Sequence, residues 1–146
     1  ILHEDATCTT TWRIDQHYPD PRNADKYPGE EWMSIGVLTP IDFYPLPYRC
    51  FYSKDIPNMF MAGRNISVTH IALGSTRVMR TCGLIGEVVG MAASICAKKK
   101  VNPRDIYTTY FEDLKELMRK GTGRTDVPYT QFYHQVDRTG HQAEDR

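Results

Sequence analysis

The segment from Ile56 to Ala97 leaves the chain the fewest structural choices. A short apolar run, Asn58 to Ala62, lies between Pro57 and Gly63, and its length and flanking breakers predict a buried strand. The stretch from Arg64 to Met79 has no clear period. Between Thr81 and Lys98, Leu84, Ile85, Val88, Val89, Ala92, Ile95 and Cys96 recur at three- and four-residue steps, which predicts a helix with one buried face. Gly86, Gly90, Ala93 and Ala97 follow the same spacing on a neighbouring face. Small residues there admit another backbone or a flat ligand, and close packing of the helix on its neighbours is the reading we favour. A strand, a glycine turn, a polar loop and a helix start, in that order, make a competent anion and cofactor site. The glycine bares the backbone, and the first-turn N–H groups of the helix have no internal acceptor.

The flanking regions supply further elements. Cys8 to Ile14 is rich in β-branched and aromatic residues and reads as a strand. The following stretch to Glu31, with Pro19, Pro21, Pro28 and Gly29, reads as a loop. Trp32 to Leu38 and Tyr48 to Tyr52 are expected as strands, separated by a segment that Pro40, Pro45 and Pro47 keep extended. A second helix is predicted from Asn102, a good N-cap followed by Pro103 and by Asp105 in the first turn, to a stop at Gly121. Its apolar stripe comprises Tyr107, Tyr110, Phe111, Leu114, Leu117 and Met118. Residues 122–146 read as a loosely ordered tail with one docked segment around Tyr129 to Tyr133. There are no internal repeats.

Composition narrows the function classes. With 146 residues the chain is long enough for one domain with a real core. Lys plus Arg and Asp plus Glu stand at 18 each, a balance that suggests neither a nucleic acid nor an anionic membrane as partner. The apolar stretch before Lys98 reads as too short for a membrane span, and Glu87 lies inside it. Cys8, Cys50, Cys82 and Cys96 form no C-x-x-C pair and no zinc-like spacing, so reduced thiols are expected, with no metal site. The sequence opens Ile1-Leu2-His3-Glu4, without a signal peptide's order of regions. It reads as a piece of a longer polypeptide, so that localisation is not legible beyond a slight lean to the cytoplasm.

The central segment resembles the last part of FAD-dependent oxidoreductases of the glutathione-reductase-like flavoprotein superfamily, most closely a bacterial group known by that description. The resemblance is carried by Asn58-Met59-Phe60-Met61-Ala62-Gly63-Arg64-Asn65-Ile66-Ser67, then Thr69-His70 and Ala72-Leu73-Gly74-Ser75. Arg77 to Gly83 and Gly86 to Ala93 continue it, with Thr11 to Asp15 and Leu46 to Cys50 upstream. It implies an α/β fold, α+β as a fragment, with a few strands from the substrate and FAD domains followed by two carboxy-terminal helices. The implied division is 1–57 as substrate-domain strands and linker, 58–120 as the end of the FAD-binding domain, and 121–146 as tail.

By that resemblance the cofactor is FAD, and the chain contributes the ribityl and isoalloxazine side of its site. Gly63 lies against the ribityl chain or the pyrophosphate. Arg64 stands where many superfamily members carry an aspartate; an arginine suits phosphate oxygens, and Asn65 suits the ribityl hydroxyls. Ser67 belongs to the same turn. A helix starting at Thr81 would aim the N–H groups of Cys82, Gly83 and Leu84 at the flavin edge where charge develops on reduction. His70 reads either as a proton donor near the flavin or as a structural histidine. Arg77 and Arg80 read as binding a substrate carboxylate, a phosphate or only solvent. His70 and Arg77 are the catalytic candidates.

Cys82 is expected to be inert despite its place near a helix start, and Lys98 to Lys100 to complement the helix carboxy terminus and be solvated. No G-x-G-x-x-G opens a βαβ unit, the element that normally seats the ADP half of FAD. The implied partners are a missing amino-terminal FAD-binding portion and a small-molecule substrate, and the chain alone is expected to hold FAD poorly and to be inactive. The alternative is a non-catalytic fragment that self-associates, as a homo-oligomer, through apolar surface and binds no flavin.

Overall fold

A computed structural model describes residues 2–19 and 34–122, together with Pro21, Asp25, Pro28 and Gly29. The tail, with its expected docked segment, lies outside the described residues beyond Thr122. Among those described, four strands and four helices form an α+β arrangement. The strands are β1 (Ala6–Thr9), β2 (Ile14–Pro19), β3 (Ser34–Thr39) and β4 (Pro45–Pro47). A 3-10 turn, Tyr48–Phe51, precedes α1 (His70–Thr76), α2 (Met79–Lys99), α3 (Pro103–Thr108) and α4 (Phe111–Lys120).

The strand expected over Cys8 to Ile14 is two strands in two different sheets. β1 pairs antiparallel with β4, and β2 pairs antiparallel with β3. β1 is buried along its whole length. It sets Ala6 opposite Pro47 and Thr9 opposite Pro45, so that one strand carries an extra residue. Thr7 fits that irregularity, its hydroxyl donating to the Leu46 carbonyl at 2.6 Å.

The aromatic run at Tyr48 is not a strand. The Asp5 carboxylate accepts from the Arg49 backbone N–H at 3.0 Å and from the guanidinium at 3.0 and 2.8 Å. The turn folds around that clamp, which satisfies a fully buried carboxylate with charge-assisted bonds. It also sends Tyr48 inward, where its hydroxyl donates to the Pro103 carbonyl at 2.8 Å and its ring meets Phe51 and Phe111.

α2 is the central element. It begins two residues before Thr81 and ends with Lys100 in the left-handed conformation. Leu84, Ile85, Val88, Ala92 and Ile95 form its buried stripe, against β1, α3 and α4. Each buried Leu, Ile or Val side chain in it contributes about 1.5–3 kcal/mol. At 21 residues the helix is long and apolar enough to cross a membrane by length and composition, which corrects the shorter stretch read from sequence; its stripe serves the core here. Lys99 is not merely solvated, since it pairs with Asp113 at 3.1 Å and lies over the Tyr110 ring.

The single helix expected after Asn102 is broken. The capping box of Asn102 and Asp105 starts α3, but at Tyr110 the N–H is shared between the Asp105 and Ile106 carbonyls, each at 3.2 Å. The chain then restarts as α4, which stops at Gly121 (φ 67°). Nor is Asn58 to Ala62 a buried strand. Residues 54–59 are exposed, and the segment makes one isolated bridge, Tyr52 to Phe60.

Candidate functional site

Two neighbouring surfaces collect the residues singled out from the sequence. The first is the turn around Gly63. Residues 59–67 run back along 50–53, held by the Met59 carbonyl accepting from Ser53 N–H at 3.0 Å, by Met61 N–H donating to the Phe51 carbonyl at 2.7 Å and by Ser67 N–H donating to the Cys50 carbonyl at 3.0 Å. Ile66 is the buried anchor, whereas Arg64, Asn65 and Ser67 are exposed. Gly63 has φ 93°, and a Cβ placed on it would come within 3.8 Å of the Cys82 sulfur. The turn therefore sits directly against the first turns of α2, as a backbone only glycine adopts without strain.

The helix start differs from the expected one. Val78 occupies the cap position, and Cys82 N–H already donates to the Val78 carbonyl at 2.9 Å. The donors without an intrahelical acceptor are thus on Met79, Arg80 and Thr81, while Cys82, Gly83 and Leu84 lie in the helical ladder. Leu84 is core, and a Cβ on Gly83 would meet open space.

The Thr81 side chain is fully engaged. Its hydroxyl lies 3.4 Å from the Ser75 carbonyl, accepts from Thr11 N–H at 3.1 Å and shares a 2.8 Å hydrogen bond with the Thr11 hydroxyl. Thr81 is itself fully buried. The Cys82 sulfur contacts the Thr76 carbonyl at 3.5 Å, and burial raises its thiol pKa while the nearby Arg64 charge opposes that rise. Among the described residues, the Thr76 hydroxyl is the buried side-chain oxygen without a hydrogen-bond partner.

The second surface is a cleft of about 130 Å³ between β2 and α1, lined by Asp15, His17, His70, Leu73, Gly74 and Arg77. α1 is too short to show a helical period in the sequence, and it is capped by the Thr69 hydroxyl accepting from Ala72 N–H at 3.3 Å. Gly74 sets the helix-to-strand distance, since a Cβ there would lie 2.9 Å from the Asp15 carbonyl oxygen. This close seat lets Arg77 donate to that carbonyl at 3.1 Å, with the Asp15 carboxylate 3.9 Å away. His17 Nε2 meets the other carboxylate oxygen at 2.9 Å.

Both catalytic candidates, His70 and Arg77, therefore line one cleft, and Arg80 lies exposed beyond it. Asp15 and His17 were not singled out. Their separation of two residues on a strand, which puts both on one face, was the available signal. No group of three metal-ligating side chains occurs among the described residues.

Comparison with known proteins adds one positive finding. The sequence profile of a family described as FAD dependent oxidoreductase matches residues 2–118. Searches of curated proteins and of solved structures return no match.

Proposed function

Since the chain belongs to the FAD-dependent oxidoreductase family, with FAD as cofactor, we propose that it supplies the ribityl and isoalloxazine side of the flavin site. The observation that carries this reading is the contact between the positive-φ turn at Gly63 and the start of α2 at Cys82. The residues suit the group. Gly63 and Gly83 carry no side chain, the exposed Arg64 and Asn65 present a cation and an amide, and the exposed Met79 and Arg80 present backbone donors.

Bound FAD would supply acceptance and donation of a hydride. The residues of this chain bind and orient. The donors and dipole of the α2 terminus favour negative charge beside them, Arg64 neutralises an anionic group, and the network of Thr81, Thr11 and Ser75 keeps the helix start fixed. His70 and Arg77 face the substrate from the neighbouring cleft. In this reading the chain is the carboxy-terminal portion of a longer enzyme, whose other part completes the cofactor site.

The exposed Met79 (92 %) and Ile71 (58 %) favour a second reading, a self-associating fragment without flavin. Titrating FAD into the purified 146-residue chain, read by visible absorption and flavin fluorescence, separates the two. Weak but saturable uptake is expected, loosened about tenfold in Arg64→Ala, the loss of one charge-assisted hydrogen bond. A chain that takes up no FAD at any concentration removes the flavin reading for these residues.

A further inference from the structure

We propose that the cleft between β2 and α1 binds a small monocarboxylate, a short organic acid of about three or four carbons. Its volume of about 130 Å³ is slightly below the roughly 150 Å³ of a cavity that holds benzene. The cleft is half open to solvent and admits a compact acid.

The lining selects the charge. Arg77 uses one terminal nitrogen on the Asp15 carbonyl, which fixes the guanidinium and leaves further N–H donors in the planar fork that matches a carboxylate. His70 and His17 add imidazole groups. The Asp15 carboxylate is held by His17 on one oxygen, with Arg77 near the other. Its negative charge offsets part of the basic lining, so a singly charged acid fits better than a doubly charged phosphate. Leu73 gives the carbon chain an apolar contact. The cleft's role as a substrate subsite rests on the flavin reading above; as an acid site it stands without flavin.

The test uses the full chain without FAD, following the imidazole C–H resonances of His17 and His70 by NMR as butyrate is added. Both signals are expected to move along one saturable curve. Arg77→Lys, which keeps the charge but loses the fork, is expected to weaken binding about tenfold. His70→Gln, at an exposed position, is expected to weaken it several-fold. Shifts that never saturate, equal affinity in both variants and the parent chain, or inorganic phosphate binding as tightly as butyrate each overturn the proposal. Failure here with FAD uptake intact removes only the acid site, and the reverse result removes only the flavin reading.

Discussion

At Cys8, burial pushes the thiol pKa from an ordinary 9.0 up to about 12, and this single group ties stability to alkaline pH. Below about pH 9 the thiol is protonated in folded and unfolded chains alike, and its contribution is fully present. Between about pH 9 and 12 the unfolded chain has lost a proton that the folded chain keeps, so stability falls with rising pH by about 1.36 kcal/mol per pH unit at most. Urea midpoints measured from pH 8 to 11 are expected to fall above pH 9, and to fall less steeply in Cys8→Ala. Equal slopes in the two proteins would show that the thiol is not the cause. Tyr48, also raised by burial, adds to the decline in both. At this scale the turn residues Gly63, Arg64 and Asn65 were legible, because a glycine after an apolar run is a local signal. The closed network of the Thr81 hydroxyl was not, since its partner Thr11 lies 70 residues away.

Among the elements, α1 and β2 act as one unit because Gly74 lets them touch. Gly74→Ala would force a methyl to 2.9 Å from the Asp15 carbonyl oxygen, where backbone rather than a flexible side-chain end stands in the way. The expected cost is about 1–3 kcal/mol, seen as a lower urea midpoint. The Arg77-to-Asp15 contact should loosen with it, so butyrate affinity is expected to fall as well. A variant as stable as the parent would mean that helix and strand separate freely. Element assignment from sequence succeeded where the pattern was long, as in α2 with its apolar stripe, or chemically marked, as at the Asn102 and Asp105 capping box. It failed at Tyr48, where aromatic content suggested a strand and the buried Asp5 carboxylate imposed a turn. It failed again at Tyr110, because an unbroken apolar stripe carries no sign of a restart in the hydrogen-bond ladder.

Taken as a whole, the molecule is unevenly secured. β1, β4, α2, α3 and α4 share one core, while the ribbon of β2 and β3 is covered mainly by α1 and exposes Tyr18, Val37 and Leu38 at 42 to 50 %. A two-stranded ribbon is marginal by itself. Hydrogen exchange is therefore expected to be at least ~100-fold faster in β2 and β3 than in the middle of α2, about 2.7 kcal/mol less opening free energy. Uniform protection across both would contradict this division. The family relationship was legible from ordered motifs, whereas the cleft was not, because it exists only once strand and helix are brought side by side.

The burial of β1 has a consequence for synthesis on the ribosome. Thr11, just beyond β1, and its partner Thr81 are 70 positions apart, and at 5–20 residues per second that gap lasts about 4–14 s. Throughout that interval the strand has been made but the helix that covers it has not. Until β4 pairs with it, such a strand has open backbone groups and is a template for pairing with other nascent chains. Slow translation between Thr11 and Thr81 should therefore lower the yield of folded protein, by lengthening the time that β1 waits uncovered.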